Sequence, residues 1–439
     1  MRFSKISFLF LLCIMGWPKV AIAQLDPFFE CSKEAAEFIQ KGDIYRAEQA
    51  AKKALAEAEN AFWFKDSQID ACLGLLTIVC FNAGKFAEAE KMGRRMLKRF
   101  EKKYGEQHAE TAAAMSILAN VLVRQGKLSE SEQLLRSSIS IKQEAFGRNS
   151  PFLATAEMNL ATVLRQRGKL DDAEKLYKSA AIKLEKAYGP KAPNVASVLE
   201  ELSILYMMKS KYVDAETVLK RALSIRESQS GSEHFGTARD QADLATVRIY
   251  LGRTEDAESQ FQSALETMER TVGPDHMVVA LSLTGYAAAL SYRSVRLDKA
   301  EEYLKLSIPI LEKGLGPEHP EVATSLNTLA IIYHTQGKYD EAETFCKQSL
   351  KILEKTLGPE HPHVAQSLNT LAAIYQTQGK YVEAETLYKQ SLKIFEKAVG
   401  PEHPEVATIC ENMADFYRKI GRVNEAEDLK ARAKTIRLK

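Results

Sequence analysis

The chain has 439 residues, of which 45% are hydrophobic and 27% charged, and 60 basic side chains nearly balance 58 acidic ones. The formal charge of +2 gives no electrostatic case for binding nucleic acid or an anionic membrane surface. This composition agrees with a soluble protein.

The first 23 residues have the pattern of a secretory signal peptide. Arg2 and Lys5 form a basic start, residues 6–17 are a nearly uninterrupted apolar run, and Ala21-Ile22-Ala23 is a small-residue cleavage site. The apolar run is shorter than the roughly 20 residues that a membrane-spanning helix needs. We therefore predict cleavage after Ala23, an exported protein that is periplasmic or secreted, and no integral membrane segment after cleavage. An uncleaved N-terminal anchor is the alternative.

Two glycine ladders run through the rest of the chain. The motif Gly-Pro-Glu-His-Pro and its degenerate copies place glycine at Gly105, Gly147, Gly189, Gly231, Gly273, Gly316, Gly358 and Gly400, spaced by 42 residues with a single 43. The motif Gly-Lys-Tyr-x-Glu-Ala-Glu and its copies occupy positions 42, 84, 126, 168, 210, 252, 295, 337, 379 and 421 in the same phase. A fixed period of this size predicts a solenoid built from one supersecondary unit copied ten times.

Residues 319–357 show the unit most clearly. His319 stands where an N-cap belongs, and Pro320 suits the first helical turn because its missing N–H costs nothing there. The apolar face of this helix is predicted to contain Val322, Ala323, Leu326, Leu329, Ala330 and Tyr333. After a turn at Gly337, a second helix carries an apolar stripe of Tyr339, Ala342, Phe345, Cys346, Leu350 and Leu353 and ends at Gly358. Each unit is therefore two helices and no strand, which makes the protein all-α.

The spacing of Leu326, Leu329, Ala330, Tyr333 and Ala342 resembles the tetratricopeptide repeat. The 42-residue period and the phrases Ser-Leu-Asn-Thr-Leu-Ala, Gly-Lys-Tyr-Asp-Glu-Ala-Glu and Gly-Pro-Glu-His-Pro are similar to the repeats of kinesin light chains and their bacterial relatives. This resemblance implies a right-handed superhelical solenoid of about ten helix-turn-helix repeats, with armadillo or HEAT repeats as the structural alternative. It divides the chain into a signal peptide (1–23), degenerate repeats one to six (24–272) and repeats seven to ten with a C-terminal cap (273–439).

The residues that could carry chemistry favour structural roles. Six histidines occupy one slot of the repeat, which is typical of a helix cap or a packing residue: His108, His234, His276, His319, His361 and His403. The repeated Glu-Ala-Glu pairs, such as Glu341 and Glu343, are interpreted as solvated charges near a helix start. The five cysteines beyond the signal peptide are interpreted as buried small hydrophobes. We find no catalytic, metal or cofactor motif and predict that the protein is not an enzyme.

A ligand is expected in the concave groove that the first helices of tetratricopeptide pairs line. Asn327 and Asn369 are predicted to face it, and an asparagine amide can donate to a peptide carbonyl and accept from an N–H at once. The same register adds further peptide-binding candidates: His334, Gln376, Asn159, Asn412 and Arg418. Met207, Met208, Ile249 and Tyr250 form either a second contact zone or a shifted boundary of the core.

The sequence thus predicts an exported scaffold that binds a protein or peptide through its groove. The alternative is a structural or self-associating envelope protein without a dedicated peptide ligand. The sequence does not identify the partner.

Overall fold

The computed structural model describes residues 27–40, 44–60 and 66–438, and these segments form twenty helices and no strand. The predicted signal peptide and its cleavage site lie outside the described residues. The helices, in chain order, are α1 Pro27–Gln40, α2 Ile44–Asn60, α3 Asp66–Asn82, α4 Phe86–Tyr104, α5 Ala109–Arg124, α6 Leu128–Phe146, α7 Pro151–Gln166, α8 Leu170–Tyr188, α9 Pro193–Met208, α10 Tyr212–Ser230, α11 Phe235–Tyr250, α12 Thr254–Val272, α13 Met277–Tyr292, α14 Leu297–Leu315, α15 Pro320–Thr335, α16 Tyr339–Leu357, α17 Pro362–Thr377, α18 Tyr381–Val399, α19 Pro404–Lys419 and α20 Val423–Arg437.

The repeat motifs form the caps and turns that the sequence predicts. His319 Nδ1 accepts a hydrogen bond from the backbone N–H of Glu321 at 3.1 Å, which caps α15. The same cap is made by every histidine of that slot, at distances of 3.1 to 3.2 Å. Gly337 ends the first helix of its pair with a left-handed φ of 79°, and Ser210 adopts φ 55° at the equivalent turn. The histidine and glycine predictions are confirmed.

Successive helices pack in pairs, as in α15 with α16 and α17 with α18. All six predicted core residues of α15 are buried, and so are Ala342, Cys346 and Leu353 of α16. The prediction for Tyr339 was wrong: this first residue of α16 is 39% exposed, because the apolar stripe begins only at the crossing with α15. Phe345 and Leu350 are partly buried at the edge of the core.

The described chain divides into two compact units, one ending at Val121 and one beginning at Leu122. The cysteines of both units are buried and free, as predicted. In the first unit, Glu48, Cys80 and Glu88 come close enough to hold a metal ion. Glu48 already accepts from Lys52 at 2.6 Å and Lys85 at 2.8 Å, and burial raises the pKa of the Cys80 thiol to about 12. Glu48 is thus ion-paired to two lysines, and the raised pKa of the Cys80 thiol disfavours the thiolate form that binds metals.

In four repeats, the last glutamate of the Glu-Ala-Glu motif or its degenerate copy joins one helix pair to the next. Glu343 on α16 accepts from Lys347 at 2.6 Å, from Lys380 at 3.0 Å and from the Tyr375 hydroxyl at 3.3 Å. The last two partners belong to the following pair, and the same arrangement recurs at Glu174, Glu301 and Glu385. The interpretation as solvated charge holds for Glu341, which is exposed, but was wrong for Glu343, which is mostly buried by its neighbours.

Within the second unit, the chain returns on itself. The Arg124 guanidinium donates to Glu321 at 3.0 Å although 197 residues separate the two. At Gly168, an added Cβ would lie 3.1 Å from the Cα of His403, so the turn between α7 and α8 directly touches the cap of α19. These contacts hold the early and late repeats of this unit together. In the part of the chain that the structure describes, no helix combines the length and apolarity needed to cross a bilayer.

Candidate binding face of the repeat array

The odd-numbered helices form the inner side of the stack in the second unit. Besides packing on their even-numbered partners, they pack directly on one another, α11 on α13, α13 on α15, and α15 on α17. Helices that touch across successive pairs lie at the smaller radius of the stack, so their free sides share one face. We call the solvent-facing sides of the odd-numbered helices from α7 to α19 the inner face.

Asparagine amides stand on this face at three successive odd helices. Asn327 is 6% exposed, and its Oδ1 lies 3.8 Å from the Cys346 thiol, which donates to it. Asn369 is half-buried, and its Oδ1 accepts from the Asn412 amide at 3.2 Å. These asparagines are therefore already engaged with neighbouring helices, and their role in binding a peptide stays a prediction.

His334 and Gln376 also make contacts within the array. The His334 Nε2 lies 3.2 Å from the Thr377 hydroxyl of the next odd helix, and burial lowers the pKa of the imidazole. The Gln376 side chain accepts from the Tyr388 hydroxyl at 2.9 Å, and its backbone carbonyl accepts from Lys419 at 3.2 Å. These polar groups bridge adjacent repeats, so a ligand would meet them as a fixed surface.

The remaining two candidates lie at the ends of this face. Arg418 is exposed and donates to Glu427 of α20 at 2.8 Å, with Asp415 at 3.8 Å. Asn159 is half-buried on α7 and lies outside the lining of the cavity described next. The structure thus brings only Asn327 of the seven predicted residues to that cavity.

A cavity of about 260 Å³ opens on the inner face between α11 and α17. Three kinds of side chain line it: aromatic and aliphatic groups, hydroxyls, and amides with one imidazole. They are Tyr250, Ala288, Ser291, Tyr292, Thr324, Asn327, Thr328, Ile331, Leu353, His363, Gln366 and Ser367. Sequence reasoning missed this site because it needs four odd helices to pack together, and the repeats that supply Tyr250 and Ser291 are degenerate.

The tyrosines at this cavity belong to a row of three. The Tyr212 and Tyr250 rings are 5.3 Å apart, and the Tyr250 and Tyr292 rings are 5.1 Å apart. Burial and the neighbouring phenols raise the pKa of Tyr250 to about 12, whereas Tyr292 is 68% exposed. The sequence left open whether Ile249 and Tyr250 form a second contact zone or part of the core. Ile249 is fully buried in the core, whereas Tyr250 lines the cavity.

A buried charge network surrounds the fully buried Asp240 of α11. Arg226 pairs with Glu200 and Asp240, and Arg239 reaches Glu200 at 2.5 Å and Asp240 at 3.1 Å. Desolvation, followed by the Glu200 carboxylate, raises the pKa of Asp240 to about 7. Asp243 is half-exposed and lies 3.8 Å from Arg239. Three carboxyl groups thus share two guanidinium groups, and a pKa near 7 leaves Asp240 only partly ionised at neutral pH.

Paired helices that repeat every 42 residues define a helical-repeat solenoid, and comparison with known proteins gives the family. The tetratricopeptide repeat model matches residues 72–144, 152–228, 199–270, 241–313, 279–355, 321–397 and 363–439. The chain therefore belongs to the tetratricopeptide-repeat family. A search of curated proteins finds no match.

Two solved Rap structures share this fold. A Rap protein complexed with competence and sporulation factor is 14% identical with a TM-score of 0.52, over 93% of this chain and 97% of that chain. The Rap conjugation gene regulator of plasmid pLS20, in complex with the Phr* peptide, is 14% identical with a TM-score of 0.52, over 81% and 94%. A Podosopora anserina protein of kinesin-light-chain type, with nearly identical TPR-like repeats, is 20% identical with a TM-score of 0.31, over 57% and 98%.

Proposed function

We propose that the protein is an exported, non-catalytic scaffold that binds a protein or peptide along the inner face of its second unit. The observation that carries the proposal is the run of Asn327, Asn369 and Asn412 on α15, α17 and α19, of which Asn327 lines an open cavity. Amide groups on successive helices can pair with the N–H and C=O groups of an extended chain, whatever its side chains. Two Rap proteins of similar fold are described as complexes with a factor or a peptide.

Export is part of the proposal because residues 1–23 have a basic start, an apolar run and a small-residue cleavage site. Binding without catalysis is favoured by the roles of the titratable groups. The repeated histidines cap helices, and the repeated glutamates join helix pairs, so neither set is free to act on a substrate.

Photo-crosslinking from matched positions tests the proposal. Thr335 is the last residue of the odd-numbered helix α15, and Thr344 lies on the even-numbered helix α16. Both are exposed threonines, and each hydroxyl donates to a carbonyl of its own helix at 2.9 Å. A photoreactive residue at position 335, introduced into the full chain in producing cells, is expected to capture a protein or peptide. The same residue at position 344 should capture much less.

Equal capture from both positions would contradict binding at the inner face. Adducts that contain only a second copy of this chain would favour the self-associating alternative. Recovery of the protein solely from the cytoplasmic fraction, with Met1 retained, would contradict export.

A further inference from the structure

The size of the inner-face cavity suits one side chain of a bound peptide. Sites for whole small molecules usually measure about 300–1,000 Å³. At about 260 Å³, the cavity lies below that range, and it opens on the face where the proposed peptide would run. It is therefore better matched to a single large side chain that anchors a longer ligand.

Ser291 supplies an unused hydrogen-bonding group in this cavity. Its side chain is 6% exposed, and its Oγ has no hydrogen-bond partner within the described part of the chain. An unpaired buried hydroxyl is unfavourable, so a ligand group that bonds to it gains stability that an apolar group would not. The hydroxyl can both donate and accept, which suits another hydroxyl.

The rest of the lining is aromatic and uncharged. Tyr250 and Tyr292 form one wall, and Ala288 and Ile331 add apolar surface. Aromatic rings pack well at centroid separations of about 4.5–7 Å, so this wall can accept a further ring. His363 supplies the one imidazole in the lining. The lining contains no carboxylate, lysine or arginine to pair with a charged side chain.

An acidic side chain lies two helical turns from the cavity, on the same side of α11. Asp243 comes seven residues before Tyr250 and is half-exposed, at the edge of the Asp240 network. A basic residue on the ligand would pair with the Asp243 carboxylate, whereas an acidic one would be repelled.

We propose that the cavity is the anchor pocket for a tyrosine side chain, and that the peptide carries a basic residue beside this tyrosine. The inference rests on the proposed function, since it names the ligand of the same inner face. The ring would pack against Tyr250 and Tyr292, and its hydroxyl would bond to Ser291 Oγ. The basic residue would lie toward Asp243.

Fluorescence anisotropy with defined probes tests this proposal on the full mature chain. The probes are labelled nonapeptides of glycine and serine, with a central Tyr, Phe, Leu or Glu and with either Lys or Glu on both sides of the centre. The Lys-flanked Tyr probe is expected to bind tightest, about three- to tenfold tighter than its Phe counterpart, because only Tyr reaches the free hydroxyl. Replacing Lys by Glu should weaken binding, and added salt should reduce that difference.

Three variants separate the pocket from the rest of the face. Ala288 and Ala373 are each the twelfth residue of their helices, α13 and α17, and both are half-buried, but only Ala288 lines the cavity. Ala288→Phe fills the pocket and is expected to weaken the Tyr probe at least tenfold, whereas Ala373→Phe should change it by less than twofold. Ser291→Ala should equalise the Tyr and Phe probes, leave the Phe affinity unchanged and not lower the melting temperature.

Each other outcome contradicts a stated claim. Equal binding of the Tyr, Phe and Leu probes would overturn the pocket but leave peptide binding intact. Equal loss of affinity in Ala288→Phe and Ala373→Phe would do the same. An unchanged preference for Tyr in Ser291→Ala would overturn the role of that hydroxyl. If no probe binds at all, both the pocket and the proposed function would be overturned.

Discussion

Neutralising one glutamate between repeats tests how successive helix pairs are joined. In Glu343→Gln, the carboxylate that accepts from Lys347, Lys380 and Tyr375 becomes a neutral amide. Burial acts to raise the pKa of Glu343, but the hydrogen bonds from the two lysines outweigh it and lower the pKa from 4.5 to about 2. The carboxylate therefore stabilises the folded array only while it is ionised.

The magnitude follows from this pKa. A shift from 4.5 to about 2 corresponds to about 3 kcal/mol. Lys347 and Lys380 are 54% and 43% exposed, so solvent screens their charges, and we expect a loss of about 1–2 kcal/mol in Glu343→Gln at pH 7. Because the folded pKa lies below the unfolded value, this contribution is fully present above about pH 4.5 and is lost as the pH falls toward 2.

The assay is urea unfolding followed by circular dichroism at pH 7 and pH 3. Glu341→Gln is the matched control, since Glu341 is exposed two residues earlier on the same helix, and we expect a change of about 0.5 kcal/mol or less there. The gap between the two variants should narrow at pH 3. Equal midpoints at pH 7, or a gap that does not shrink in acid, would refute the role of Glu343.

Three further predictions concern the turns, the inner face and the N-terminus. Gly168→Ala should lower the melting temperature more than Gly337→Ala, because both turns have positive φ but only the new Cβ at Gly168 meets His403; equal losses would contradict the long-range contact. Asn369→Ala should weaken partner binding by about 0.5–1.5 kcal/mol in a titration and leave the thermal melt unchanged or slightly higher; a large drop in the melt would make Asn369 structural. The intact mass of the exported protein should equal that of a chain that begins at Gln24, and a retained Met1 would rule out the predicted cleavage.

The local features of the fold could be predicted because each repeat encodes them within a few residues. The Gly-Pro-Glu-His-Pro motif contains both the residue that ends one helix and the histidine that caps the next. The structure shows both: Gly316 ends α14 with φ 93°, and His319 caps α15. The exposed Tyr339 was mispredicted, because helical periodicity alone does not show where two helices begin to touch.

Features that depend on distant residues could not be predicted in this way. The role of Glu343 depends on Lys380, which lies 37 residues further along the chain. The contact between Arg124 and Glu321 spans 197 residues and depends on how rotations accumulate over several repeats. The cavity at Ser291 needs four odd-numbered helices at once, and its lining differs from the repeat consensus where the sequence is most degenerate.

The most direct test of the central claim is a crystal structure of the chain with the Lys-flanked Tyr nonapeptide. The account predicts that the peptide runs along the inner face between α11 and α17, with its tyrosine hydroxyl within hydrogen-bond distance of Ser291 Oγ. A peptide bound on the even-numbered helices, or an inner face filled by a second copy of the chain, would contradict the account.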